Sequence, residues 1–350
     1  MRQKAFIEMA ENPLRRFTAA LLRDENLNRA EASEFVAALL EEGSTDAQIA
    51  AALIALAAKG ETVEELAGMA EAMRDRAVPL KSQHECFIDT AGTGSSRAKT
   101  FNVSTAAAFV IAAAGLPVAK HGNRAASSKC GSADVLTALG VNVSIAPEVS
   151  ERCLNELGIC FMFAPLYHGA TARVAAVRRE LGVQTTFNLI GPLTNPANAP
   201  RQIVGVWRRD KVEPMARVLA MLGTEHAWVV HGEDGLDEVT LAGRTFVSAA
   251  QSGDVKSFEI GPGDFGYDMA PIEHLHCADA ETSAAMIRQV LSGERQDEAR
   301  QLVLMNAAAA LFVGGRADDL HSATQLAERA IDSGEASAKL EALAKATSSS

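Results

Sequence analysis

Several common devices are missing from this sequence. Its five cysteines (Cys86, Cys130, Cys153, Cys160 and Cys277) are an odd set with no Cys-x-x-Cys pair. Neither a zinc site nor a disulfide framework is therefore indicated. No apolar run is long enough to span a bilayer, and the longest, Ala106 to Ala119, is bracketed by Thr105 and Lys120. A buried helix feeding a strand accounts for it better. Met1 to Arg16 mixes charges with single apolar residues and carries no apolar signal core, so the expectation is a soluble, cytoplasmic protein with no membrane partner. Positive charge is also short: the formal net charge is −11, which opposes nucleic acid or an anionic surface as the main partner. Repeats and low-complexity linkers are absent too. What remains is an ordinary globular composition, 48% hydrophobic and 22% charged, over 350 residues. An anionic small substrate would have to be held by local clusters of Lys, Arg and backbone N–H groups.

The first eighty or so residues predict helices. Asn12-Pro13 is a cap and first-turn proline opening a helix toward Leu22. Phe35, Val36, Leu39 and Leu40 form one face of a second helix, closed by Gly43. Thr45 or Asp46 caps a third, with Ile49, Leu53 and Leu56 at helical spacing and Gly60 beyond its end. Thr62 and Glu65 make a capping box for a fourth. Four short helices with narrow apolar faces form a bundle that calls for a partner surface, and a homodimer interface is the expectation attached to it.

From Cys86 the pattern becomes α/β. Strand-length apolar runs fall at Cys86–Ile88, Pro117–Ala119, Val141–Val143, Ile159–Phe163, Ile203–Trp207 and Ala227–Val230, with helical patterns such as Ser132–Leu139, Val149–Leu157 and Val212–Leu222 between them. Such alternation predicts a mostly parallel sheet flanked by helices, with function in the loops beyond the strands' carboxyl ends. Val239–Val247 resembles an antiparallel hairpin around Ala242-Gly243, and the tail beyond Asp279 is helical. The fold class is α/β: a small N-terminal all-helical domain (1–85, with a helical excursion near 171–196) and a large domain (86–170 and 197–350).

Two loops carry the chemistry. Asp89 to Thr100 leaves a strand and enters the apolar helix starting near Asn102–Thr105. Its glycines let backbone N–H groups point at an anion, and the helix N-terminus adds its positive end. Dinucleotide and P-loop fingerprints both fail here. The second loop, Lys120-His121-Gly122-Asn123-Arg124 through Asp134, packs three cations, an amide, three serines and two glycines behind the next strand. Lys and Arg bind phosphate as point charge and fork, and Ser and backbone N–H groups fill the remaining oxygens. His121 has no acidic partner nearby in sequence, so packing or hydrogen bonding suits it at least as well as base chemistry.

These segments, Gly92-Thr93-Gly94 with Thr100 to Thr105 and Lys120 to Arg124, resemble the phosphoribosyl-diphosphate site of the anthranilate phosphoribosyltransferase family. Phe187 to Pro196 resembles that family's second hallmark, and His231 to Glu238 its metal motif. The likeness runs in order from about residue 12 to about residue 335. Nucleoside phosphorylases share the fold but lack the Lys-His-Gly-Asn-Arg form, and are the alternative. The resemblance implies transfer of a phosphoribosyl group from its diphosphate to the amine of anthranilate. It implies a donor site of Gly92, Gly94, Ser95, Ser96, Thr100, Asn102, Val103, Ser104, Thr105, Lys120, His121, Gly122, Asn123, Arg124, Ala125, Ala126, Ser127, Ser128 and Ser132. Gly92, Asn123, His121, Arg178 and Pro192 would meet anthranilate, with Tyr167-His168 as a further wall. Arg178 is chosen over Arg179 by its distance from Gly182. The pair Asp237-Glu238 would hold one Mg²⁺ and Ser104 a second. Two departures stand out. Relatives carry Gly-Thr-Gly-Gly-Asp-Gly where Ser95, Ser96 and Arg97 take the last three places here, and Thr171-Ala172 replaces a methionine and a basic residue. An acid is lost and a cation gained, so Arg97, with Lys99, is expected to touch the diphosphate directly.

Overall fold

The computed structural model describes residues 12–94, 100–124 and 130–348. The N-terminal helices begin where their caps dictate. Helix α1 (Pro13–Leu21) is capped by Asn12, whose side chain accepts from the Leu14 N–H. Capping boxes open α2 (Arg29–Leu40), α3 (Asp46–Lys59) and α4 (Val63–Arg74), the last two with Thr45–Gln48 and Thr62–Glu65. Each box satisfies N–H groups that the first turn leaves without partners. Gly60 ends α3 with φ +88°, a left-handed conformation that glycine adopts without penalty.

A seven-stranded sheet forms the body, in the order β3-β2-β1-β4-β5-β6-β7. Strands β1 (Ile88–Asp89), β2 (Val118–Gly122), β3 (Ile159–Phe163), β4 (Arg201–Gly205) and β5 (His226–Gly232) are parallel. Strands β6 (Thr245–Gln251) and β7 (Asp254–Ile260) extend it antiparallel. Since β2 and β3 lie on one side of β1 and β4 and β5 on the other, the chain reverses its winding at β1. A crevice forms at such a point, beyond the strands' carboxyl ends.

Helices cover both faces. On one side, the buried run of α5 (Val103–Ala113) packs with α6 (Ser132–Ala138), α7 (Pro147–Leu157) and the tail helices α12 (Ala280–Leu291), α13 (Glu298–Val313), α14 (Leu320–Asp332) and α15 (Glu335–Ser348) in one apolar core. On the other, α1–α4 share a second core with Val174, Val177, Leu189 and Ile190, with Val204 and Val229 of the sheet, and with Met215 and Leu219. These residues belong to α9 (Ala172–Leu181), α10 (Phe187–Leu193) and α11 (Val212–Met221); α8 (Ala164–Tyr167) is a single turn after β3. No helix among the described residues is long and apolar enough to cross a membrane.

Two expectations need correction. Val141 and Val143 are buried with Asn142 exposed between them, but the stretch forms no strand: the Val141 N–H goes to the Leu136 carbonyl and that of Asn142 to the Thr347 hydroxyl. The hairpin is also misplaced. Its turn is Ser252-Gly253, both at positive φ, between β6 and β7, whereas Ala242-Gly243 lies in the irregular stretch before β6.

Candidate active site

Just past the carboxyl end of β1 lies one buried cation. Lys120, in the middle of β2 and 4% exposed, donates through Nζ to the Thr90 carbonyl at 3.0 Å, to Thr90 Oγ1 at 3.1 Å and to Ser104 Oγ at 3.2 Å. Three acceptors match the three N–H bonds of an ammonium. Burial pushes its pKa down, while Asp89 and Glu238 hold it up. Glu238 lies near Ser104, at the first turn of α5, whose backbone and hydroxyl favour its charged form. Ser104 thus neighbours both Lys120 and Glu238. Burial and the adjacent charge of Asp237 raise the Glu238 pKa, and Lys120 and Ser104 oppose that rise. A cation brought to these carboxylates would relieve the repulsion between them.

Asp89 ties the strand ends together. Its carboxylate accepts from the His121 N–H at 3.1 Å and from Asn195 Nδ2 at 2.7 Å, and Asn195 also reaches the Ala119 carbonyl at 2.9 Å. Burial raises its pKa to about 6. The segment after α10 is thereby fastened beneath the second loop.

His121 is buried, with Nδ1 3.1 Å from the Gly191 carbonyl, and burial together with nearby His168 lowers its pKa to about 3. It is a neutral, packed histidine near pH 7, which suits the hydrogen-bonding role better than the general base. The His168 ring lies 5.2 Å from it, edge to face, with Nε2 3.1 Å from the Thr194 carbonyl. His121 Nε2 and His168 Nδ1 are buried with no hydrogen-bond partner among the described residues. Arg178, in the last turn of α9, donates to Asn188 Oδ1 at 3.1 Å and stacks over Phe187, while its Nε is buried and unpartnered. Arg179 is exposed. Pro192 is buried within α10, its carbonyl held by Gln202 Nε2.

The other residues singled out in the sequence fall as follows. Asn102 caps α5, accepting from the Thr105 N–H, and Val103 is buried. Thr100 bridges to His276. Arg124 pairs with Asp134 at 2.8 Å and lies over Phe163, and the Asn123 carbonyl accepts from the Ser132 hydroxyl at 3.4 Å. Gly122 admits no side chain, because a Cβ there would meet Ser132 Oγ and the Phe161 ring. Gly94 is left-handed at φ +66°. Ser95, Ser96, Arg97, Lys99, Ala125, Ala126, Ser127 and Ser128 lie outside the described residues.

Sequence reasoning passed over Gly205. A Cβ on it would stand 1.6 Å from the Asp237 carbonyl oxygen, and its own carbonyl accepts from Thr93 through both N–H and hydroxyl. The first loop and the acidic turn therefore meet across the end of β4. Its only sequence signal is a glycine closing an apolar strand, which marks close backbone approach.

A buried ammonium with carboxylates nearby, beside buried, half-satisfied donors and acceptors, is an arrangement that could take a phosphorylated group and a small acceptor. Residues 15–77 match the glycosyl transferase family's helical bundle domain, and residues 84–337 match its a/b domain. A helical bundle on an α/β body that moves glycosyl groups is the class. The anthranilate phosphoribosyltransferase of Moorella thermoacetica is 50% identical over 319 residues, spanning 91% of this chain and 94% of that protein. The crystal structure of the Thermus thermophilus enzyme, 39% identical, superposes with a TM-score of 0.87 over 94% of this chain and 98% of its own. That of the Saccharomyces cerevisiae enzyme in complex with PRPP and Mg, 26% identical, superposes at 0.88 over 98% and 99%. The chain belongs to the anthranilate phosphoribosyltransferase family.

Proposed function

We infer that the chain transfers the phosphoribosyl group of 5-phospho-α-D-ribose 1-diphosphate (PRPP) to the amine of anthranilate, giving N-(5-phosphoribosyl)anthranilate and diphosphate in tryptophan biosynthesis. The observation that carries this reading is the buried Lys120 ammonium, caged by Thr90 and Ser104, with Ser104 neighbouring Glu238 as well. The leaving group is a diphosphate, and a preorganised cation in a low-dielectric site is worth most where negative charge develops. Lys120 meets that charge, with the N–H groups of the first loop and Arg97 beside it. Asp237, Glu238 and the Ser104 hydroxyl are hard oxygen donors suited to Mg²⁺, in two ions per site. Bound there, Mg²⁺ would neutralise the diphosphate.

The aromatic amine is a neutral nucleophile at pH 7, so orientation can replace a strong base. Arg178 holds the anthranilate carboxylate, with Asn123, Gly92 and Pro192 around the ring. His121 and His168 offer unpaired ring nitrogens to the same cleft, and buried polar atoms without partners are uncommon unless a ligand or water completes them.

The protein works as a cytoplasmic homodimer in this reading. Support comes from an apolar groove between α1 and α3, lined by Leu14, Thr18, Ala19, Ala47 and Ala51, beside Leu22 at 73% exposure. The decisive assay follows the loss of anthranilate fluorescence with PRPP, with and without Mg²⁺. Turnover that requires both is expected, and its absence under every condition would remove the acceptor assignment.

A further inference from the structure

Helix α13 is apolar through its middle except for one residue, Asn306, between Met305 and a run of four alanines. It is 4% exposed, yet every bond its amide can make along this face is used. Oδ1 accepts from the Val239 N–H at 2.9 Å, and Nδ2 donates to the Val239 carbonyl and the Leu302 carbonyl, both at 2.9 Å. The side chain treats Val239 as a neighbouring strand would, taking both main-chain groups of one residue. Val239 is fully buried and directly follows Asp237-Glu238.

The rest of that turn is held as tightly. Asp234 accepts from the Leu236 N–H and the Thr240 hydroxyl, and the Thr240 N–H goes to Thr245 Oγ1. On the far side the Asp237 carbonyl sits against the bare Cα of Gly205. The two carboxylates are thus carried on a backbone pinned between β4 and α13. Removing the Asn306 amide would leave the Val239 N–H and C=O buried and unpaired, and the chain would relieve this by shifting the peptide next to Glu238.

We propose that Asn306 is a positioning residue for the Asp237-Glu238 pair: from the opposite face of the turn it sets where the two carboxylates point, and through them the strength of metal binding. It touches neither substrate nor metal. The inference rests on the metal role proposed above for that pair.

The test measures Mn²⁺ binding in the presence of PRPP by electron paramagnetic resonance, beside anthranilate affinity and thermal stability. Asn306→Leu removes all three bonds while keeping the branched shape of the side chain. Asn306→Ser, which leaves room for a water to bridge to Val239, carries the test should the leucine variant not fold. Mn²⁺ affinity should fall by about tenfold or more in Asn306→Leu, the scale at which outer-shell partners act on metal ligands, and less in Asn306→Ser. Anthranilate affinity should not change, and amide exchange at 236–240 should quicken. A folded Asn306 variant that binds Mn²⁺ as tightly as the unaltered chain, while Asp237→Asn and Glu238→Gln lose it, overturns this inference alone. Should those two carboxylate variants also bind Mn²⁺ normally, the metal reading falls, and this inference with it.

Discussion

Two neighbouring parts of the candidate site, the surroundings of Lys120 and those of His121, are built on opposite terms. Around Lys120 the protein has answered its own polar groups: the ammonium has three acceptors, Ser104 neighbours both Lys120 and Glu238, and Asp89 collects two strand ends and Asn195. On the other face of β2, His121 Nε2 is buried without a partner among the described residues, as are His168 Nδ1 and Arg178 Nε. A closed network holds charge in a fixed place, as stabilising a leaving group demands. An open one leaves binding energy for a ligand that brings the missing partners.

Breaking the closed side should cost most. Lys120→Met is expected to lower kcat/KM for PRPP by about 100- to 1000-fold, the range seen on removing a preorganised charge-stabilising group, while the chain stays folded because a buried charge is replaced by an isosteric apolar stem. Steady-state kinetics with a melting curve on the same sample checks both halves. On the open side, Arg178→Ala should raise KM for anthranilate by about tenfold or more, as loss of a hydrogen bond to a charged group implies. KM for PRPP should stay put; equal changes in both would erase the division between the two sides.

His121 gives a smaller effect, in stability. Its folded pKa of about 3 lies below its ordinary 6.5. The folded state therefore binds fewer protons, and the stability it contributes is complete above pH 6.5 and drains away as pH falls toward 3. Asp89, raised to about 6, acts in the opposite sense: its contribution is present at low pH and lost as pH rises through 6. Denaturant unfolding at pH 7, 5 and 4 should show His121→Gln gaining stability relative to the unaltered chain as pH falls, since the Asp89 contribution is then unopposed. The smallest change is expected from Arg97. Arg97→Ala should raise KM for PRPP only a few-fold, the scale of a single ionic contact of about 1 kcal/mol or less, and an unchanged KM would rule out direct contact.

Much of this was legible beforehand because it rests on local rules. Asn12-Pro13, Thr45 and Thr62 start their helices through bonds made within three residues. Lys120 to Arg124 was marked out by its residue types, although the strand expected to end at Ala119 runs on through Gly122. The errors arose where partners are distant. Val141–Val143 has a strand's composition, but its N–H groups are taken by a helix end and by Thr347, 205 positions from Asn142. The hairpin moved because Asp234, Thr240 and Thr245 knot the stretch around Ala242-Gly243, and β7 is mostly exposed and carries little apolar signal. Arg178 was separated from Arg179 by counting to Gly182, whereas in the fold burial separates them.

The sequence by itself determined the α/β class, the caps and the acidic pair, because each depends on residue chemistry within a few positions. Only the tertiary structure decided that Lys120 is caged near Glu238, that Gly205 must be bare for Asp237 to approach, that His121 and His168 share an open wall, and that Asn306 grips the turn from another helix. Those contacts join residues tens to more than a hundred positions apart. Their strength comes from burial in a common interior, which no local pattern records.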